Sequence, residues 1–273
     1  MIFDTHAHFD DVRFDDDRDK LMQTMQEKGV RHIVNVGASL RGCFDSVRLS
    51  MKYPFIYPAI GIHPSDTDVL EEDEDNFEKV KRMAALKEVV AVGEIGLDYY
   101  WDEPDREIQK KWFRRQLDLA RELGKPVNIH SRDAAQDTVD IMREKNAEEI
   151  GGIIHCFSYG VEMAKIFLDM GFYLGIGGVV TFKNGKKLKE VVEFTPMDRI
   201  VIETDSPYLS PEPYRGKRNN SMYLENVVKT IADIKGLTVD EVKKITYENA
   251  LKVYRLQGKE EDYLLLSGYQ RIP

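Results

Sequence analysis

The sequence opens on Met1-Ile2-Phe3-Asp4-Thr5-His6-Ala7-His8, the stretch around which the rest of the chain is organised. Residues 2–5 predict a short buried strand, and His6 and His8 follow where that strand would end. Side chains two residues apart leave a strand on the same face, so both imidazoles can bind one divalent cation without bending the backbone. An isolated His-x-His sequence can also be two hydrogen-bonded polar groups. Further candidate ligands elsewhere in the chain must therefore decide between a metal site and this interpretation.

Beyond this stretch, short apolar runs alternate with longer amphipathic segments. The apolar runs predict further strands at residues 32–36, 55–60, 89–92, 126–129, 152–154, 172–176 and 199–202. Helical spacing of apolar residues predicts helices at 17–28, 40–52, 74–86, 105–123, 134–145, 161–170, 185–193, 223–234 and 238–254. Eight strands, each followed by a helix or room for one, predict an α/β fold of the (β/α)₈ TIM-barrel type with a C-terminal capping helix. The barrel domain would span residues 1–256, and residues 257–273 would form a loosely packed tail.

Composition narrows the functional classes. The 273 residues carry 39 basic and 48 acidic side chains, a formal net charge of −9, so a polyanion would need a locally positive site. Cys43 and Cys156 lie far apart and form no Cys-x-x-Cys pair, which argues against a disulfide framework or a thiolate zinc site. No signal peptide and no run long enough to span a bilayer are recognisable. We expect a cytoplasmic protein without a membrane contact or an obligate protein partner.

Candidate metal ligands recur at the predicted carboxyl ends of the strands, where barrels of this class carry their active sites. These candidates are His6, His8, His63, Glu94, His130, His155 and Asp205. His32, the remaining histidine, stands at the start of a strand and is interpreted as structural. Gly93 and Gly96 are expected to let the backbone turn tightly around Glu94.

Six motifs, taken together and in order, resemble the TatD-related metal-dependent deoxyribonucleases of the amidohydrolase-like barrels. They are Phe3-Asp4-Thr5-His6-Ala7-His8, Gly61-Ile62-His63-Pro64, Gly93-Glu94-Ile95-Gly96-Leu97-Asp98, His130-Ser131-Arg132, His155-Cys156-Phe157 and Glu203-Thr204-Asp205-Ser206-Pro207-Tyr208. The resemblance implies a metal-dependent hydrolase of DNA phosphodiester bonds, commonly a 3′ to 5′ exonuclease. The chain departs from the family at Asn220-Ser221, where Glu or Gln followed by Pro is usual.

The resemblance also implies roles for individual residues. His6, His8 and Asp205 would hold one metal ion, His130 and His155 would hold the other, and Glu94 would bridge the two. His63 would face the substrate phosphate.

This assignment suits the chemistry of phosphodiester hydrolysis. A pair of divalent ions bridged by one carboxylate can activate a water molecule and relieve charge in the transition state. Asp205 could also orient that water or take its proton, so Glu94, Asp205 and His63 are the candidate catalytic residues. Imidazole ligands favour zinc or manganese and the carboxylates admit magnesium, which leaves the ion open.

Binding of DNA would require a small positive region of the surface, because the net negative charge of the protein repels DNA. Arg215, Lys217 and Arg218 follow the eighth strand and would lie at the catalytic end of the barrel, where phosphate is often bound. Arg132 and His63 are further candidates for binding the substrate. The competing interpretation of the loop is an ordinary solvated charged surface.

Two other functions stay open. Related barrels share the histidine pattern and hydrolyse amides, esters or lactones, although many of them use a carboxylated lysine where this chain offers Glu94. A metal-binding scaffold for a protein partner is the non-enzymatic alternative. The sequence leaves open the preference for single or double strands, the choice between DNA and RNA, and the oligomeric state.

Overall fold

Eight parallel strands pair in the order in which they occur along the chain. The computed structural model describes residues 1–101 and 103–258. The strands are β1 (Ile2–Ala7), β2 (Val30–Gly37), β3 (Ile56–Ile60), β4 (Ala91–Asp98), β5 (Val127–Arg132), β6 (Gly152–Ile154), β7 (Tyr173–Ile176) and β8 (Ile200–Ile202). A parallel bridge between Ala7 and Ser206 joins the end of β1 to the chain just after β8, so the sheet curls into a nearly closed barrel. The predicted (β/α)₈ fold is confirmed.

Helices connect successive strands and surround the barrel. They are α1 (Arg18–Glu27), α2 (Leu40–Lys52), α3 (Val69–Glu72), α4 (Glu74–Ala84), α5 (Arg106–Leu123), α6 (Ala135–Glu144), α7 (Val161–Asp169), α8 (Lys186–Phe194), α9 (Leu224–Lys235) and α10 (Val239–Val253). The short helix α3 is an addition to the predicted set. Among these described helices, none combines the length and the apolar character that crossing a bilayer requires.

The glycines of β4 serve a different purpose from the predicted one. The strand does not end at Val92 but continues through Glu94 to Asp98, so the expected tight turn is wrong. A Cβ atom at Gly96 would stand 1.9 Å from the carbonyl oxygen of His130 on the neighbouring strand β5. The glycines therefore let two strands approach closely, and this places Glu94 on a rigid strand rather than on a loop.

Helix α10 closes the amino end of the barrel, as the predicted capping helix should. It begins with a capping box, in which Thr238 and Glu241 each bind the other's backbone N–H. After its last turn, the Tyr254 hydroxyl reaches inside and lies 2.9 Å from the carbonyl oxygen of Thr5 and 3.0 Å from Oδ1 of Asn128. The opposite, carboxyl end carries the polar side chains.

Three further predictions concern His32, the two cysteines and the end of the barrel domain. His32 is buried against the rings of Phe3, Tyr57 and Tyr247, in keeping with a structural role. Both cysteines are free thiols, as expected. The boundary at residue 256 stays a prediction, because residues 259–273 of the proposed tail lie outside the described residues.

Candidate metal centre

The first group of candidate ligands consists of His6, His8 and Asp205. The Nε2 atoms of His6 and His8 lie 3.1 Å apart, and Oδ1 of Asp205 is 4.0 Å from the first and 3.5 Å from the second. His8 Nδ1 donates to the carbonyl oxygen of Val36 at 2.8 Å, so Nε2 is the nitrogen that faces the group and would offer its lone pair to a metal ion once the ring is neutral. The two histidines on β1 thus converge with a residue that follows β8.

Asp205 is positioned by backbone contacts to β1. Its N–H donates to the carbonyl oxygen of His6 at 2.9 Å, and its φ of +57° turns the chain sharply after the last strand. Below it, the buried Asp4 carboxylate accepts hydrogen bonds from the hydroxyls of Thr204 and Ser221, both at 2.7 Å. Burial raises the pKa of Asp4 to about 7 in spite of these bonds. Ser221, at the departure from the family pattern, therefore supports the floor of the site.

The second group consists of Glu94, His130 and His155. Oε1 of Glu94 lies 2.9 Å from His130 Nδ1 and 3.5 Å from His155 Nε2. The rings of His155 and His6 stack at 3.4 Å between centroids, so the two groups adjoin each other. Each group offers three ligand atoms that lie within 4.8 Å of one another. Three protein ligands with further positions open is the usual arrangement of a catalytic metal ion.

Glu94 stands between the two groups, with one oxygen facing each. Its Oε2 atom lies 3.5 Å from Nε2 of His6 and 3.8 Å from Nε2 of His8. Its Oε1 atom faces the second group. Burial raises the pKa of Glu94, but the surrounding imidazoles outweigh burial and hold the pKa well below its usual value. The carboxylate is therefore ionised and has the placement that a bridging ligand needs.

Two acidic residues without a predicted role support the second group. Asp98 Oδ2 lies 3.0 Å from His130 Nε2, and Glu203 Oε1 lies 2.9 Å from His155 Nδ1. A Cβ atom at Gly175 on β7 would fall 2.3 Å from the Glu203 carboxylate, so this glycine provides room for the acid. Carboxylates behind histidine ligands orient the rings and raise their basicity.

Carboxylates in the cluster favour positive charge on two of the imidazoles, those of His8 and His130. Burial alone would lower the pKa of His130, but Asp98 and Glu94 outweigh burial and raise it to about 9. Asp205 and Glu94 likewise overcome burial at His8 and raise its pKa to about 10. The donor set, rich in imidazole and buried carboxylate, fits divalent transition-metal ions.

His63 lies beside the second group. Its Nε2 is 3.8 Å from Oε1 of Glu94, and its Nδ1 accepts the backbone N–H of Ser65 at 3.1 Å. Burial and the nearby His130 lower the pKa of His63 to about 3. The ring is therefore neutral, and its proton resides on Nε2, the nitrogen that faces the site.

The predicted basic residues differ in how their side chains are engaged. Arg218 donates to both carboxylate oxygens of Asp17, at 2.9 and 2.6 Å, and is half-buried by this pair. Arg215 and Lys217 are exposed, and the Arg215 guanidinium lies over the ring of Phe182. Arg132 is also exposed. Arg218 thus anchors the loop, while the other three cations face solvent.

A barrel with a dense cluster of imidazoles and carboxylates at its carboxyl end is the architecture of a metal-dependent hydrolase. The family model described as TatD related DNase matches residues 3–255. The chain belongs to this family and is a metal-dependent hydrolase.

Individual relatives agree with this assignment. The uncharacterized metal-dependent hydrolase YabD of Bacillus subtilis is 44% identical over 256 residues, which cover 94% of this chain and all of the relative. The uncharacterized metal-dependent hydrolase YcfH of Escherichia coli K12 is 34% identical over 261 residues, covering 94% of this chain and 97% of the relative. The crystal structure of YjjV, a TatD homologue from E. coli, superposes with a TM-score of 0.86 at 27% identity, covering 93% of this chain and 98% of that one.

Proposed function

We propose that the protein hydrolyses phosphodiester bonds in DNA as a 3′ to 5′ exodeoxyribonuclease with two divalent metal ions. The observation that carries the proposal is the Glu94 carboxylate, which turns one oxygen toward His6 and His8 and the other toward His130 and His155. The name of the family to which the chain belongs supports DNA as the substrate.

In this proposal, His6, His8 and Asp205 would hold one ion, His130 and His155 would hold the other, and Glu94 would bind both. When bound, the ions lower the pKa of water toward neutrality and offset the charge of the phosphate. Asp205 is the candidate general base. Its side chain is 19% exposed, so a water molecule can reach it. The neighbouring imidazoles lower its pKa in spite of burial, so the carboxylate is ionised and can accept a proton. As the water oxygen attacks phosphorus, the water would lose its proton to this carboxylate, and the bond from phosphorus to the 3′ oxygen of the preceding nucleotide would break. That oxygen would take up a proton from solvent, and the terminal nucleotide would leave with the phosphate on its 5′ oxygen.

His63 would act on the substrate rather than on the ions. A neutral ring with its proton on Nε2 can donate a hydrogen bond to a non-bridging phosphate oxygen. A charged imidazole in the same place would compete with metal binding by repulsion, so the low pKa of His63 suits this role.

Arg132, Arg215 and Lys217 would contact neighbouring phosphates, with Arg218 holding the loop through Asp17. An acidic protein needs such a local set of cations to bind a polyanion.

We also propose that the protein acts in the cytoplasm, because its two cysteines are free thiols, as is usual in a reducing compartment.

The alternative function is hydrolysis of amides, esters or lactones by the same metal centre. The test is to strip the protein of metal, restore magnesium, manganese or zinc separately, and assay each form on end-labelled single- and double-stranded DNA and on a panel of esters, amides and lactones. We expect metal-restored shortening of DNA from its 3′ end. Turnover of an ester, amide or lactone without any nuclease activity would replace the proposal with the alternative.

A further inference from the structure

Two large aromatic side chains are exposed directly after β4, on the loop at the carboxyl end of the barrel. Tyr100 is 55% exposed and Trp101 is 65% exposed. Their rings meet edge to face, with 5.0 Å between centroids and an interplanar angle of 90°. A single exposed aromatic residue is ordinary, but two in contact, at the mouth that holds the metal centre, form a platform. We call these two residues the aromatic platform.

Contacts to the neighbouring strand hold the aromatic platform in place. The guanidinium of Arg132, the last residue of β5, lies over the Tyr100 ring at 3.8 Å from its centroid. The backbone of the preceding Tyr99 donates to the carbonyl oxygen of Arg132 at 2.9 Å. The Tyr100 ring is thus supported on one face by a cation and contacted by Trp101, which leaves Trp101 as the more open ring.

The platform is also connected to the metal centre. The N–H of Tyr100 donates to Oδ1 of Asp98 at 2.9 Å, and the other oxygen of the same carboxylate lies 3.0 Å from Nε2 of His130. One side chain therefore separates the aromatic platform from a candidate metal ligand. A phosphodiester bound at the centre would have its adjoining nucleoside within the same region of the mouth.

We propose that Trp101, supported by Tyr100 and Arg132, stacks on an unpaired nucleobase next to the phosphate that is hydrolysed. The inference rests on the proposed nuclease function and adds a substrate subsite to it. Every nucleobase has a flat π-face, so such a platform binds bases without selecting their identity. Arg132 supplies a positive charge beside the platform, where the nucleotide's own phosphate would lie. Bases in a duplex are already stacked and paired, so the platform favours single strands and frayed ends.

The competing interpretation is that the exposed rings form a contact between two copies of the chain. That contact would bury Trp101 in a dimer and would make no distinction between nucleic acids with and without bases. The two interpretations therefore differ in whether Trp101 makes the protein prefer a strand with bases over an abasic strand.

The test compares two thymidine oligonucleotides of equal length, linked by phosphorothioates to slow hydrolysis, one intact and one with abasic sugars. Affinities for the metal-loaded protein are measured by fluorescence anisotropy. Because stacking on an aromatic side chain accounts for roughly 10- to 100-fold in affinity per base, the parent should bind the intact strand tighter by about that factor. Trp101→Ala should weaken binding of the intact strand by the same factor and leave the affinity for the abasic strand unchanged. Trp101→Phe should restore most of the difference.

Phe194→Ala is the matched control. Phe194 is 45% exposed and ends α8, on the side of the barrel away from the mouth, so its removal should leave both affinities unchanged. If the parent shortens DNA but Trp101→Ala still prefers the intact strand as strongly as the parent does, the subsite is refuted and the nuclease function stands. A parent that neither binds nor shortens DNA would overturn both. A parent dimer that dissociates on Trp101→Ala, with an unchanged preference between the strands, would establish the contact between copies instead.

Discussion

Replacing Glu94 by Gln tests the centre at the one side chain that faces both ligand groups. The substitution keeps the size of the side chain and one carbonyl oxygen, and it removes the negative charge. Because Glu94 lies on strand β4 and is 3% exposed, solvent cannot reach its position to replace the lost negative charge. The expected effect is therefore on charge rather than on packing.

The spacing around Glu94 sets the size of that effect. Its oxygens lie 2.9 to 3.8 Å from five imidazole nitrogens, so cations bound by these nitrogens would lie within about 4 Å of the carboxylate charge. Two unit charges about 4 Å apart attract each other by about 4 kcal/mol at an effective dielectric constant of about 20. This corresponds to about 1000-fold in affinity, and the retained amide oxygen should recover part of it. We expect at least one ion to bind about 100- to 1000-fold more weakly.

Metal content and metal affinity provide the assay, by elemental analysis of purified protein and by titration of stripped protein with zinc or manganese. The hydrolytic activity of Glu94→Gln should fall by orders of magnitude at metal concentrations that saturate the parent. Glu144→Gln is a suitable control, because it removes the same charge from an exposed ion pair with Arg114 on the barrel's outer layer. Two equivalents of tightly bound metal and full activity in Glu94→Gln would show that this carboxylate is not the bridge.

Further predictions concern residues around the centre, the loop after β8 and the barrel floor. Asp98→Asn should weaken metal binding about 10- to 100-fold in titrations, because the neutral amide no longer raises the basicity of His130; an unchanged affinity would assign Asp98 to the loop alone. Replacing Arg215 and Lys217 by Ala should weaken DNA binding and flatten its salt dependence, measured as the slope of log affinity against log salt, while metal content stays at the parent level; an unchanged slope would make the loop ordinary surface. His32→Phe should remove an acid sensitivity of the fold. Burial lowers the pKa of His32 from 6.5 to about 4, so between these two pH values the unfolded chain binds a proton that the folded chain does not. The free energy of unfolding of the parent therefore decreases as the pH is lowered, by about 2 kcal/mol from pH 7 to pH 5. Urea denaturation at both pH values should show that the variant loses less stability than the parent by about this amount, and equal losses would contradict the reasoning.

The barrel and the positions of the ligand candidates follow from sequence patterns alone. Apolar runs at regular spacing specify strands regardless of their neighbours, and a parallel sheet brings all carboxyl ends to one face. The residues His6 and His8 share a face because strand geometry repeats every two residues. The same rule applies to Glu94 and Asp98 on β4, so the spacing within that strand already contained a signal for Asp98.

The contacts that each side chain makes, in contrast, depend on the folded barrel. Asp98 on β4 reaches His130 on the neighbouring strand β5, where Gly96 lets the two strands approach closely. Glu203, which follows β8, reaches His155, which follows β6, across Gly175 of the strand between them. Arg218 illustrates the limit most clearly, since its charge resembles that of Arg215 in the sequence but is paired with Asp17, about two hundred residues earlier. Local patterns specify the direction of a side chain, whereas its contacts depend on chain segments that meet only when the barrel closes.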